Sequence, residues 1–293
     1  MRIPERIVTL LPSATEIICG IGLADKLVGI THECDYPAEI THLPAVTSSA
    51  IGKGLSSREI DNQVRDHLND NAALYSLNIP LLTSLQPDLI VTQALCDVCA
   101  VSMDEVSVAC QTLPSRPQLL NLEPMSLGEV FDTIIAVGDV TAERISAWEY
   151  VAGLKSRVEA VRQRRQNILD KPTVGFLEWI DPPFNAGHWT PEIIEIAGGQ
   201  DCLGSKHQPS RTITFEEITA ADPDVLVVAQ CGFDLERSRA DMDILKRHLP
   251  WENLKAVRDN RVHVIDGNAY FSRSGPRLVD SLEIMEKILW RRD

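Results

Sequence analysis

Cysteine and histidine are the residues in this chain with the most chemistry to offer. Seven cysteines occur, an odd number, so they cannot all pair internally as disulfides. Cys96 and Cys99 form a CxxC pair whose two sulfurs can reach one metal ion, while a closed zinc site requires two further ligands. Cys34, Cys231, His32 and His188 are the available partners. A CxxC that follows a strand and opens a helix also suits a redox dithiol, because the helix N-terminus favours the thiolate; the usual thioredoxin-type surroundings are missing. Cys19, Cys110 and Cys202 lie in helical or helix-terminal patterns and read as small buried hydrophobes.

The elements that would position these groups follow from the apolar pattern. RIVTLLP (6–12), KLVGI (26–30), DLIVTQ (88–93), TVGFLEW (173–179), VLVVAQ (225–230) and RVHVI (261–265) are short apolar runs without alternation. Such runs suit parallel strands covered by helices on both faces. The two halves echo each other: LQPDLIVTQALC (85–96) and ADPDVLVVAQCG (221–232) share Pro-Asp, a β-branched run, Gln and Cys. SATEI places Ser13 as a helix cap with Glu16 three residues on, a capping box, and TPEIIEIAGG places Thr190 as cap with Pro191 at the first helical position.

Between the halves, Ile145, Trp148, Val151, Leu154, Val158, Val161 and Ile168 recur at mostly helical steps. They predict one long helix near 141–170, stopped by Pro172. A final amphipathic helix is expected from Pro276 to Trp290. The fold class is therefore α/β, with two Rossmann-like lobes of parallel sheet: an N-terminal lobe over 1–138, a linking backbone helix over 139–171, and a C-terminal lobe with its terminal helix over 172–293.

In open parallel sheets, ligands bind beyond the carboxyl ends of the strands. Two facing lobes would place those ends around a shared cleft. Cys34, Cys96, Cys99, Cys231, His32 and His188 all follow predicted strands, as do Tyr36, Phe184, Trp189, Tyr270, Phe271 and Arg273, with Trp179 closing the TVGFLEW strand. In a chain with only 15 Phe, Trp and Tyr residues, this gathering suits a flat, partly apolar ligand; each ring taken alone reads equally well as core. Arg273 could hold an anionic or amide group of such a ligand, against the alternative of a solvated arginine.

Charge and motifs exclude several classes. The chain has 42 acidic and 28 basic side chains, a net charge of −14, which argues against nucleic-acid binding. Residues 1–140 carry 18 acids and 7 bases, 141–170 carry 4 and 6, and 171–293 carry 20 and 15, so only the middle segment is net positive. No GxGxxG, GxxxxGK[ST], HExxH or GxSxG occurs, and an enzyme is not expected. IGKGLSS (51–57) lacks the order of a phosphate loop and reads as a loop with an N-cap serine before REIDNQV. The N-terminus shows no signal-peptide core and no stretch approaches a membrane span. The sequence as it stands is expected to be cytoplasmic, or periplasmic if an export signal precedes it.

Taken in order, RIVTLLPSATEI, VGITHECDYP, PDLIVTQ, the long helix, FLEWIDPPFNAG, EIIEIAGG, PDVLVVAQCG and GNAYFSRSGPRL resemble the helical-backbone periplasmic binding proteins of ABC importers, especially the cobalamin-binding member. The likeness covers almost the whole chain. It implies two lobes joined by a rigid helix that close slightly on a corrinoid, siderophore, haem or metal ion, and a monomer. It places Tyr36, Phe184, Phe271 and Arg273 in a cobalamin cleft. It implies docking of an ABC permease through one acid per lobe, Glu59 in the first and Glu216 or Glu217 in the second. By this likeness the expected ligand is a cobalamin-like corrinoid; the cobalamin protein lacks cysteines matching Cys34, Cys96, Cys99 and Cys231, so here these thiols or His188 are expected near its cobalt. The alternatives are a thiolate-bound metal ion such as zinc, iron or copper, haem or siderophore binding, and a thiol oxidoreductase on Cys96 and Cys99.

Overall fold

The computed structural model describes residues 3–52, 54–70, 73–93 and 101–290. The chain divides into two compact units, Met1–Pro124 with Gly128–Ala152, and Met125–Leu127 with Gly153–Asp293. The first is built from β1 (Ile7–Thr9), α1 (Pro12–Gly20), β2 (Leu27–Gly29), β3 (Thr47–Ser49), α2 (Ser57–Asn69), β4 (Tyr75–Leu77), α3 (Ile79–Leu85), β5 (Leu89–Thr92), α4 (Met103–Thr112), β6 (Gln118–Asn121) and most of α5 (Leu127–Thr141). Its main sheet runs β2-β1-β5-β6 with every pairing parallel. All residues of β1 and β5 are buried, the two-sided burial that their unalternating sequences predict. β3 and β4 form a small antiparallel pair that the sequence pattern does not announce.

α6 (Arg144–Arg165) carries the chain from one unit into the other at Ala152 and Gly153. Its 22 residues span about 33 Å at 1.5 Å per residue, shorter than the 141–170 helix expected from periodicity. Ala142 takes a left-handed φ of 62°, so α5 ends at Thr141 and a new helix starts at Arg144. The buried stripe is Ala147, Val151, Leu154, Val158 and Val161. Ile145 and Trp148 are off that stripe and are 76% and 51% exposed.

The second unit holds β7 (Thr173–Trp179), β8 (Phe184–Asn185), α7 (Thr190–Ile196), β9 (Gln200–Asp201), α8 (Phe215–Ala221), β10 (Val225–Val228), α9 (Leu235–His248), α10 (Lys255–Arg258), β11 (Val262–Val264) and α11 (Leu278–Trp290). Its sheet runs β11-β10-β7-β8, with β9 added alongside the start of β7. β10 and β11 pair in parallel and β8 returns antiparallel to β7. Leu177, Leu226, Val228, Met242 and Leu245 form the core between this sheet and its covering helices. Arg157 of α6 bonds Asp280 and Glu283 of α11 at 2.5 and 2.8 Å, and Arg164 and Arg165 share Glu286. The terminal helix thus packs back as its amphipathic sequence requires.

Two helix starts depart from the sequence expectation. Ser13 is not a cap: Pro12 already occupies the first turn of α1, Leu11 precedes it with no side-chain cap, and Ser13 is buried inside the helix. Proline's fixed φ and missing N–H suit the first helical position, which moves the start ahead of the serine. Likewise α7 begins at Thr190 itself, after Trp189. By contrast Ser56 does cap α2 in a capping box with Glu59, and Thr214 caps α8 with Glu217 in the same way.

Candidate ligand-binding site

In the N-terminal unit the segment after β2 gathers hydroxyls and rings. Thr47 Oγ1 lies 2.9 Å from Thr31 Oγ1 and 2.7 Å from His32 Nδ1, and the His32 ring lies 5.7 Å from that of Tyr75. Cys34 Sγ is 3.0 Å from Thr15 Oγ1, which in turn is 2.6 Å from Thr9 Oγ1. This hydroxyl chain ties the thiol to α1 and β1. Tyr36 is 48% exposed, a large ring left in water at a strand-end loop. Cys96 and Cys99 lie outside the described residues. Gln93, at the end of β5, is buried.

In the C-terminal unit the loop after β7 is held by a buried polar network. The Gly187 amide donates to Glu178 Oε1 at 3.0 Å. A side chain at position 187 would run into the Ser210 backbone, so glycine is what lets the two segments meet there. Asn185, 4% exposed, donates to the Leu203 carbonyl and accepts from the Arg211 amide, both at 2.7 Å. Asp201 Oδ1 accepts from the Leu203 and Gly204 amides at 2.8 and 2.6 Å. Burial pushes the Glu178 carboxyl up to about 7, with the nearby Asp201 charge adding to the rise and the Gly187 and Ser210 donors opposing it. Burial likewise raises Asp201 and lowers His188. Pattern reading overlooks Glu178 and Asn185; the available signal is a polar residue embedded in an apolar strand run or its return strand, which buries only when bonded.

The expected ligand residues of this unit separate into two groups. Trp189 and Phe271 turn inward: Trp189 Nε1–H donates to the Phe271 carbonyl at 2.6 Å, and the Phe271 ring packs 5.0 Å from Phe176. Phe271 holds a φ of 71°, a left-handed backbone that directs its side chain to the core, where it is 3% exposed. Trp179, Phe184, His188 and Tyr270 keep part of their surface in solvent. Trp179 donates to the Asp181 carbonyl at 3.2 Å and packs 4.8 Å from Phe233; the Arg277 guanidinium sits 4.9 Å over the Tyr270 ring. Arg273 is nearly buried and donates to Asn268 Oδ1 at 3.0 Å. Gln230 is fully buried, its Oε1 accepting from the Ile180 amide at 3.2 Å, which fixes the start of the loop.

The thiols fall into distinct environments. Cys19 and Cys202 are pushed up to about 12 and Cys110 is also raised, mainly by burial, as small packed side chains should be. Cys231 is exposed. Among the described residues no group of three or more His, Cys, Asp or Glu side chains is placed to hold a metal ion. Glu59 and Glu216 are exposed in the first turns of α2 and α8. Glu217 is engaged by Arg211 at 2.7 Å.

Each of the two α/β units thus carries part-exposed aromatic rings and hydrogen-bonding groups in its strand-end loops. The chain belongs to the periplasmic binding protein family, whose model matches residues 7–269. It is 23% identical over 283 residues to the vitamin B12-binding protein of Vibrio cholerae, covering 95% of this chain and 87% of that one. It is also 23% identical over 293 residues to the ABC transporter substrate-binding lipoprotein YvrC of Bacillus subtilis, covering 98% and 80%. Among solved structures, the periplasmic vitamin B12-binding protein BtuF of Vibrio cholerae superposes with a TM-score of 0.71 at 20% identity, covering 98% and 96% of the two chains. The periplasmic heme-binding protein RhuT of Roseiflexus gives 0.71 at 22% identity, covering 98% of each. These likenesses establish the fold. Family members are substrate-binding proteins, and no helix among the described residues is long and apolar enough to cross a membrane.

Proposed function

We propose that this chain binds a cobalamin-like corrinoid at the strand-end loops of its two lobes and delivers it to an ABC permease. The observation that carries this reading is the alignment of 95% of the chain with a protein named for vitamin B12 binding. The site supports it chemically. Tyr36, Trp179, Phe184 and Tyr270 present ring surface suited to a broad, partly apolar macrocycle. Arg273, already held by Asn268, and His188, kept neutral by burial, supply a polar edge for amide side groups or cobalt. Cys231 is the most exposed of the described thiols.

Docking would use Glu59 and Glu216. Both are exposed in the first turn of a capped helix, one per unit; Glu59 also closes its capping box onto Ser56, and Glu217 is engaged by Arg211. Work with an importer implies a position outside the cytoplasmic membrane, as the relatives' names describe, and cell fractionation of the native protein would check it. Titration with cyanocobalamin, hydroxocobalamin and cobinamide, followed by visible absorption, should give a saturable spectral change. Hemin belongs in the same series, because heme-binding proteins superpose as well as the B12 protein does. Saturable hemin binding with no response to any of the three corrinoids would replace the corrinoid reading with a haem one.

A further inference from the structure

A cavity of about 310 Å³ opens on the C-terminal unit where the end of α6, the approach to β7 and the outer face of α7 meet. Four cations line it, Arg162, Arg165, Lys171 and Lys206, together with Gln166 and His207. Only two carboxylates, Glu192 and Glu195, share the lining, so its charge is net positive in a chain of −14. It collects the basic end of the 141–170 segment, the one stretch of net positive charge in the sequence. Lys171 lies just before the amino-terminal end of β7, Glu195 near the C-terminus of α7 and Glu192 in its first turn.

Its charges are unevenly committed. Glu195 is neutralised by Lys206 at 2.5 Å, and Glu192 accepts from the Leu127 amide at 2.9 Å, at the N-terminus of α5. Arg165 gives its Nε–H to Glu286 at 2.8 Å and lies 5.1 Å over the Trp290 ring. That leaves Arg162, whose 3.3 Å pair with Glu159 is exposed on both sides and therefore weak. Among the described residues the side chains of Lys171, Gln166 and His207 make no hydrogen bond or ion pair. The walls carrying these groups are fixed. Gly198, at a φ of 89°, brings its backbone against Arg165 and Ile168, and the His207 amide donates to the His188 carbonyl at 2.9 Å. The two acids are already satisfied, and the remaining groups, Arg162, Lys171, the Gln166 amide and the His207 imidazole, line one concave space.

We propose that this cavity binds a small multivalent oxyanion of the phosphate class, through Arg162, Lys171 and His207 with Gln166 as a neutral donor. Guanidinium and ammonium groups make strong charge-assisted bonds to such oxygens, and a dianion gains from two cations where a monovalent ion gains from one. The site does not depend on the corrinoid reading, although its His207 amide bonds the carbonyl of His188.

Calorimetric titration of the full chain at low ionic strength tests it, with inorganic phosphate and pyrophosphate as probes, citrate as the carboxylate counterpart and chloride as the monovalent control. Phosphate and pyrophosphate should bind saturably, one per chain, and more weakly as salt is added. An Arg162→Gln, Lys171→Gln double variant should lose affinity by about tenfold or more with unchanged melting in anion-free buffer and an unchanged corrinoid titration. Should the double variant unfold, Lys171→Gln alone carries the test, since no bond among the described residues holds that side chain. Absence of saturable phosphate and pyrophosphate binding, equal binding by the variant, or binding of citrate alone would overturn the proposal.

Discussion

The Gly187 amide donates to the Glu178 carboxyl at 3.0 Å, tying the end of β7 to the loop that carries His188 and Trp189. Asp201 approaches the same carboxyl and raises it further, while Ser210 donates to it. The neutral acid keeps the Gly187 bond and relieves the repulsion from Asp201. The group that anchors the loop carrying His188 and Trp189 is therefore one that changes charge close to neutral pH.

Stability should follow that titration. Glu178 sits at about 7 in the folded chain against an ordinary 4.5, so the folded state binds the proton more tightly than the unfolded one. Its favourable contribution is complete below about 4.5, is lost as pH rises towards 7, and is absent above it. Glu178→Gln makes the neutral form permanent. It should be more stable than wild type at pH 8, by about 1–3 kcal/mol after allowance for partial solvent access, and nearly equal at pH 5. Urea unfolding at pH 5, 6, 7 and 8 measures the difference, and a gap that does not change with pH would refute the assignment.

The legible parts of the fold are those fixed by local chemistry. β7 matches TVGFLEW residue for residue, and β5 and β10 lie inside their predicted runs, because two-sided burial writes itself into unalternating apolar sequence. Of the two serines ahead of REIDNQV, Ser56 is the cap, its hydroxyl accepting from the Glu59 amide, and Ser57 opens the helix. Ser13 fails because Pro12 already fits the first turn. In the site, Tyr36 is exposed, but Phe271 and Trp189 are not distinguishable from it by residue type. Their inward orientation depends on a left-handed φ and a hydrogen bond across 82 residues, which no local pattern encodes.

Trp189→Phe tests that long-range bond. It keeps the ring's apolar bulk but leaves the buried Phe271 carbonyl without its donor, at a cost of about 1–3 kcal/mol. Because the same carbonyl anchors the segment running through Arg273, corrinoid affinity should also fall. Denaturant unfolding and the absorption titration read the two effects separately. An unchanged midpoint would mean that the carbonyl finds another partner.

Thiol labelling should separate the cysteines by environment. In a Cys96→Ser, Cys99→Ser background, Ellman's reagent at pH 8 should modify Cys231 fastest, since it is exposed. Cys19 and Cys202, held at about 12, and the raised Cys110 should react only on denaturation, because the thiolate is the reactive form. Rapid labelling of Cys202 in the native protein would contradict the raised pKa that its partial burial gives it. If a corrinoid binds beside Cys231, adding it should slow that one modification and no other.

Tyr36 separates ligand binding from folding most cleanly. With 48% of its surface in water, Tyr36→Ala creates no core cavity, and its effect on stability should stay within about 0.5 kcal/mol, as for other surface changes. If its ring covers one face of the ligand, the loss of aromatic contact should weaken corrinoid binding by about 1–2 kcal/mol, close to tenfold. Tyr270→Ala should weaken binding similarly but also disturb the Arg277 stack, which holds its ring at 4.9 Å, and so cost some stability. Glu59→Gln combined with Glu216→Gln removes exposed charge while keeping the capping box of α2, and should leave the titration unchanged while impairing association with a permease if these acids dock it. A Tyr36→Ala protein that binds corrinoid as tightly as wild type would remove the N-terminal loop from the site.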